Sequence, residues 1–169
     1  MRDLNRTVFA ALAAALDLEP ASPEAAAVLR RAFVHPAPPP PGEDADAVYY
    51  SLLPDPRAPV LTESEASGSF RFAPYLLRLV FYGPRAEELA WRVYRRIFAD
   101  GFGQPRRILR AGGVRPVPRP DSPELVWEEW EKRHRPRADL TLSLRVSAPE
   151  PAPGTPSISA PPDTVIHSV

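Results

Sequence analysis

The sequence predicts an α+β protein, in which a β-sheet carries helices on one face. The first observation is the segment Tyr75–Tyr82, which places apolar side chains on both faces of a strand, with Arg78 as its one charge. The second is the helical spacing of apolar residues from Arg85 to Asp100, after a Gly-Pro break at Gly83. The third is Asp139–Val146, where leucine and polar residues alternate as in a half-covered strand.

Two helices are predicted before the first strand. Asp3 or Asn5 is a suitable N-cap for a helix that runs to about Leu18. Ser22, followed by proline at the first helical position, starts a second helix that runs to about Val34. The apolar stretch of the first helix is too short to span a membrane, and acidic residues follow it where a signal peptide needs a small-residue cleavage site. We therefore expect a cytoplasmic helix.

The rest of the chain is predicted to contain strands, loops and one helix. In order, these are a strand at Ala47–Leu53, a long acidic loop at Pro54–Gly68, a strand at Ser69–Tyr82 with a bulge at Pro74, the helix Arg85–Asp100, a strand pair at Arg106–Arg110 and Val114–Val117 around a Gly112-Gly113 turn, and strands at Glu124–Trp130 and Asp139–Val146. The predicted parts are N-terminal helices (residues 1–35), a proline-rich linker (36–46), an α+β core (47–146) and an extended, proline-rich C-terminal tail (147–169).

The sequence offers no set of residues for catalysis, a metal ion or a cofactor. It has no cysteine, and its three histidines lack the spacing of metal ligands. The glycines near Gly101 and Gly112 do not fit a phosphate-binding loop. Glu128 and Glu129 point to opposite faces of a strand, so they do not converge as paired carboxylates. We therefore expect no enzyme activity.

Charge is segregated along the chain, although the formal net charge is zero. Residues 40–70 contain six acids and one arginine, whereas residues 85–119 contain nine arginines and three acids. Opposite charges on separate surfaces suit a protein that meets a copy of itself head to tail. The alternative is that both regions are solvated faces of a monomer.

The arginines between Arg85 and Arg119 also favour a second alternative, a nucleic-acid-binding module, since arginine binds phosphate well. Only Phe102 interleaves with the arginines as a stacking residue, and the one basic helix spends its apolar face on the sheet. Sequence-specific DNA binding is therefore not expected. Arginines that line a channel traversed by DNA, or that pair with acids of a neighbour, remain open.

The order of the elements resembles a known family. An N-terminal helix is followed by YYSLLPDPR at residues 49–57, a long loop, a strand that runs into Tyr82-Gly83-Pro84, a helix rich in alanine, leucine and aromatic residues, and closing strands. From about Asp3 to Val146, this order is similar to that of the neck or tail terminator proteins of tailed bacteriophages.

The resemblance implies a structural virion protein without cofactors. Its subunits would form a ring, usually a hexamer, which caps the tail tube, contacts the tail tube protein and joins it to head-side connector or adaptor proteins. It also implies assembly in the bacterial cytoplasm, a final place in the tail or neck of the virion, and no membrane. DNA would pass through the ring without specific contacts. A head–tail connector or adaptor, or a minor tail protein of the same fold, is the alternative.

These expectations give a hypothesis for the contacts between subunits. We expect acids of the long loop, Glu63 and Glu65 foremost, to meet arginines of the next subunit. The arginines proposed for this contact are Arg106, Arg107 and Arg110. Arg78, the one charge on its strand, is expected to line the lumen or to pair with an acid across a subunit boundary.

Overall fold

The computed structural model describes residues 4–32, 45–65, 68–99, 103–117, 122–130 and 133–149. These residues form α1 (Leu4–Ala15), α2 (Pro23–Val28), β1 (Leu29–Arg31), β2 (Ala47–Pro54), β3 (Leu61–Glu65), β4 (Gly68–Tyr82), α3 (Ala86–Phe98), α4 (Gln104–Ala111), β5 (Val114–Val117), β6 (Glu124–Trp130) and β7 (Arg133–Pro149). The linker prolines at residues 36–41 and the predicted tail beyond Pro149 lie outside the described residues.

The seven strands form one mixed sheet around two long central strands, β4 and β7, of 15 and 17 residues. These two strands pair antiparallel from Phe70 and Pro149 at one end to Tyr82 and Arg137 at the other. β2 and β3 pair with successive parts of the outer edge of β4. β5 and β6 share the outer edge of β7 in the same way, and β1 adds a parallel strand outside β2.

Helices pack on one face of this sheet, so the predicted α+β class is confirmed. On β4 the buried residues of this face are Leu77, Leu79 and Phe81, each at most 1% exposed. They share a core with the apolar faces of α1, α3 and α4. The predicted stripe of α3 is buried throughout and comprises Ala86, Ala90, Val93 and Ile97. Each large apolar side chain buried in this layer contributes about 1.5–3 kcal/mol to stability.

The first helix has the predicted apolar side and ends at Ala15, earlier than the predicted Leu18. It ends in a Schellman motif, in which the Leu18 N–H donates to the carbonyl of Ala13 at 2.9 Å. Asp17 takes the left-handed conformation that this motif requires, with φ of 60°. Aspartate tolerates this conformation better than most residues other than glycine.

The second helix begins as predicted and ends early. The Ser22 hydroxyl accepts a hydrogen bond from the Ala25 N–H at 3.1 Å, which is the expected N-cap. The predicted end at Val34 is wrong, because the chain from Leu29 to Arg31 becomes β1. β1 pairs with residues 48–50 of β2, a non-local contact that no local pattern announces.

The predicted loop at Pro54–Gly68 is wrong in its second half, where β3 pairs with the start of β4. The predicted bulge at Pro74 is also absent from the β4–β7 register, which runs without a break through the Pro74–Arg145 pair. The carbonyl of Pro74 accepts the Asp55 N–H at 3.0 Å, so the side of Pro74 that lacks an N–H faces the junction between β2 and β3. The pairing of β4 with β7 is therefore unaffected by the proline.

The predicted strand at Arg106–Arg110 is wrong, since these residues lie in helix α4. Pro105 begins this helix, and Leu109, which is 2% exposed, packs in the main core. The predicted strand at Val114–Val117 is confirmed as β5, but its partner is β7. The glycines between them end a helix rather than form a hairpin. A Cβ at Gly112 would collide with the side chain of Thr7 on α1.

The last two strands are as predicted in position, and β7 is longer than predicted. β6 has the predicted bounds, Glu124 to Trp130. β7 extends the predicted Asp139–Val146 strand at both ends, so residues 147–149 of the predicted tail belong to this strand. The two long central strands, about 50 Å at about 3.3 Å per residue, therefore reach beyond the part of the sheet that the helices contact.

Candidate functional site

A basic cleft lies where α4 turns into β5 and β5 pairs with β7. Its volume is ≈ 510 Å³, and it is lined by Arg106, Arg110, Gly113, Arg115, Pro116 and Ser147. Gly113, with φ of 78°, makes the turn from helix to strand. The backbone N–H and the hydroxyl of Ser147 both donate to the Gly113 carbonyl, at 2.8 and 3.1 Å, and so fix this turn to β7. Among the described lining residues, three are arginines and none is acidic.

Like charges face each other beside this basic cleft. Arg115 and Arg145 are direct partners in the β5–β7 register. Two cations at this spacing destabilise a sheet by a few tenths of a kcal/mol. The guanidinium carbon of Arg115 lies 4.8 Å from the ring centroid of Phe72, a cation–π contact that offsets part of the repulsion. No local sequence pattern indicates this pairing, because it depends on the register between distant strands.

Two guanidinium nitrogens at this end of the sheet are buried without a hydrogen-bond partner among the described residues. They are Nε of Arg106 and Nη1 of Arg145. A buried donor without an acceptor costs about 1–3 kcal/mol, more when the group is charged.

The two glutamates of the predicted contact lie on the other edge of the same end of the sheet. In the β3–β4 register Glu63 pairs with Phe70 and Glu65 with Gly68, and their side chains lie outside what the structure describes. Phe72 of β4 is the register partner of both Leu61 on β3 and Ser147 on β7. Across this end the strand order is therefore β3-β4-β7-β5, with acids on one edge strand and arginines at the other.

The structure brings two of the three predicted arginines together. Arg106 and Arg110 line the basic cleft, joined by Arg115, which the sequence did not single out for this contact. Arg107 is exposed on α4 and is not among the cleft residues. Within one chain the arginines of the cleft and the β3 glutamates are separated by two strands, so their meeting requires a second chain.

Arg78 lies on the sheet face opposite the helices. Its register partners are Ser51 on β2 and Thr141 on β7. It is half-buried, and none of the hydrogen bonds or ion pairs of the described residues involves its side chain. The same open face carries a small buried cluster formed by Ala47, Tyr49, Val80 and Tyr82.

Several arginines of α3 and its N-terminus pair with acids of the same chain. The pairs are Arg85 with Asp46, Arg92 with Glu88 and Asp17, and Arg96 with Asp17. Hydrogen bonding to Asp46, and then its charge, raise the pKa of Arg85. These three cations serve the fold, and they are distinct from the three arginines that line the basic cleft.

A second charged cluster lies on the open face at the β6 edge. The Tyr82 hydroxyl donates to Glu128 at 3.0 Å, and Arg137 donates to Glu128 at 2.8 Å and to Asp139 at 2.9 Å. Side-chain exposure is 15% for Arg137, 20% for Glu128 and 29% for Asp139. We call this set the Arg137 cluster. The predicted strands contain Glu128 and Asp139 but not Arg137, and the sequence indicated none of these contacts.

The Arg137 cluster is suited to fixing the sheet rather than to moving protons. Burial, followed by the charge of Glu128 and the hydrogen bond to it, raises the pKa of Tyr82 to about 12. Tyr82 therefore stays protonated near neutral pH and acts as a donor. Burial opposes the charge on Arg137, but the hydrogen bond and charge of Asp139, with Glu128, overcome it and raise the pKa of Arg137.

Other site types find no support among the described residues. No group of three or more His, Cys, Asp or Glu side chains in that part of the chain could hold a metal ion. No helix within the described ranges is long and apolar enough to cross a membrane. The side chain of His134, and all of His35 and His167, lie outside what the structure describes.

Comparison with known proteins finds no match that would indicate a function. No known protein family matches this sequence. No curated protein matches it either.

Proposed function

We propose that this chain is a structural virion protein, a neck or tail terminator whose subunits form a ring that caps the tail tube and joins it to the head-side connector. One observation carries the proposal. The two edges of one end of the sheet bear opposite charges, with the glutamates of β3 on one edge and the basic cleft on the other. Two edges of opposite charge are complementary to each other, so copies of the chain can meet head to tail.

Head-to-tail contact between unlike edges gives a closed ring when the rotation closes. A two-fold dimer formed edge to edge would instead place an edge against the same edge of its copy, acid facing acid or arginine facing arginine. The open sheet face, with Arg78 on it, is then the surface left for the lumen or for the ring layers above and below.

The partners proposed are further copies of the chain, the tail tube protein and the head-side connector or adaptor proteins. The place is the tail or neck of a virion assembled in a bacterial host. The ring is proposed to be a hexamer, through which DNA passes without specific contacts. A connector or minor tail protein of the same fold would use the same edges at another level of the stack.

The proposal is tested by the mass of the purified protein, alone and after mixing with purified tail tubes. We expect a closed oligomer, and tubes that no longer elongate when further tube protein is added. Tube protein added without this chain is the control. A monomer at all concentrations, together with tubes that keep elongating, would reject the proposal.

The basic cleft also favours a second candidate, non-specific nucleic-acid binding. Phe72, the aromatic ring at this cleft, is 3% exposed and covered by Arg115, so it offers no face on which a base can stack. A gel-mobility shift of short DNA at physiological salt, without a closed oligomer, would favour this candidate over the ring.

A further inference from the structure

The basic cleft has the features of a receptor for carboxylates. Arg106, Arg110 and Arg115 project into ≈ 510 Å³ with no acid among the described lining residues. The guanidinium fork binds planar carboxylates through two parallel hydrogen bonds, which lysine cannot do. The volume lies within the range of ligand pockets and is large enough for several side chains rather than one ion.

The outer edge of β5 is unsuited to pairing with another strand. The Gly113 carbonyl accepts the Ser147 N–H, so the backbone N–H and C=O groups of alternate residues from Gly113 onward point towards β7. The backbone groups of the residues between them point away from β7. Pro116 is one of these residues, and it has no N–H to donate to an added strand. Contact at this edge must therefore come from side chains.

The chain itself carries a segment of matching chemistry. β3 is an edge strand in which Glu63 and Glu65 alternate with small hydroxyl residues, Thr62 and Ser64. It lies at the same end of the sheet as the basic cleft and on the opposite edge. A head-to-tail neighbour brings the β3 edge of one copy towards the cleft of the next.

We propose that the basic cleft is a socket for the glutamates of β3 of a second copy, held by salt bridges and not by extension of the sheet. This inference rests on the proposed function, because it needs a head-to-tail neighbour. It adds the atoms that make the contact: Arg106 and Arg110 receive the carboxylates, with Arg115 held in place by Phe72. Arg107, which lies outside the cleft lining, is peripheral to the contact.

The absence of cysteine allows a direct test of this contact. Chains that carry Glu63→Cys are mixed with chains that carry Arg110→Cys, and the mixture is treated with a short bis-maleimide crosslinker. Such a linker is needed because a paired glutamate and arginine hold their backbones farther apart than a disulfide allows. The matched control replaces Arg110→Cys by Arg95→Cys, an exposed arginine of α3 outside the cleft.

We expect a crosslinked dimer of unlike chains from the first mixture, at least tenfold more than from the control, and its loss at high salt. Mass measurement of the same samples separates the outcomes. Rings without the expected crosslink would overturn the socket and leave the ring proposal standing. Monomers only, without crosslink, would overturn both. Protection of the cysteine at position 110 by short duplex DNA, with no crosslink, would assign the cleft to nucleic acid instead.

Discussion

Two arginine clusters lie on the same long strand, β7, and they differ in charge balance. Near the start of the strand, Arg137 donates to Glu128 and Asp139, so that one cation lies between two carboxylates. Near its end, Arg145 faces Arg115, beside a cleft without a described acid. A cation held between two carboxylates stabilises the fold, whereas two facing cations weaken it. We therefore assign stability to the first cluster and propose binding for the second.

The largest effect on stability is expected from Arg137→Ala. The substitution leaves two partly buried carboxylates and Tyr82 without their cation, so the free energy of unfolding should fall by about 2–4 kcal/mol. Urea unfolding followed by circular dichroism measures the change. Arg92→Ala is the matched control, because Arg92 pairs with Glu88 one turn away on an exposed helix surface. The free energy of unfolding of the control should fall by about 0.5 kcal/mol or less. Equal losses in the two variants would show that the Arg137 cluster stabilises the fold no more than an exposed ion pair does.

The next effect is a loss of stability at alkaline pH that depends on Tyr82. Its pKa is about 12 in the folded protein against 10.0 for an unperturbed tyrosine, so its contribution to stability is complete below pH 10 and disappears as pH rises towards 12. The free energy of unfolding should fall by about 2–3 kcal/mol across this interval.

The control for the alkaline effect is Tyr82→Phe, which keeps the ring and removes the titrating hydroxyl. It should be less stable near neutral pH by about 1 kcal/mol and should show a shallower pH dependence between pH 10 and 12. Few other groups titrate in this interval, because Lys132 is the one lysine of the chain, and those that do are the same in both proteins. An identical pH dependence in both proteins would show that Tyr82 does not titrate as the geometry requires.

The smallest effect on stability is expected from Arg115→Gln, which should not lower the free energy of unfolding. Removing one of two facing cations should leave stability unchanged or raise it by a few tenths of a kcal/mol, since the lost cation–π contact offsets the relief of repulsion. The same variant should weaken subunit association, measured by analytical ultracentrifugation. A loss of stability near that of Arg137→Ala would mean that the cleft serves the fold after all.

Local signals predicted the central unit of the fold well. The strand that ends at Tyr82, the break at Gly83 and the helix Ala86–Phe98 agree with the structure because spacing, caps and charge all favour the same elements. The wrong predictions concern short elements, and two of these form because they pair with another strand. β1 is a three-residue strand that depends on β2, and β3 depends on β4. In α4, Ile108 and Leu109 resemble a short strand, and the proline at the start of the helix was the overlooked signal.

In the candidate sites, too, contacts between residues distant in sequence could not be predicted. Arg106 and Arg110 were identified from charge alone, because an arginine-rich segment is visible without knowledge of the fold. Arg115 opposite Arg145, and Tyr82 with Glu128 and Arg137, are products of strand register, and Tyr82 and Glu128 are 46 residues apart. The strand register of the folded sheet is needed to show which arginines lie beside carboxylates and which face another arginine.

The most direct test of the account is native mass measurement of the Arg106→Glu, Arg107→Glu double variant beside the wild-type protein at moderate salt. Arg95→Glu, on the exposed side of α3, controls for the change in charge. We expect a closed ring for the wild type and the control, and folded monomers with a wild-type circular dichroism spectrum for the double variant. Rings of the same mass from the double variant would contradict it.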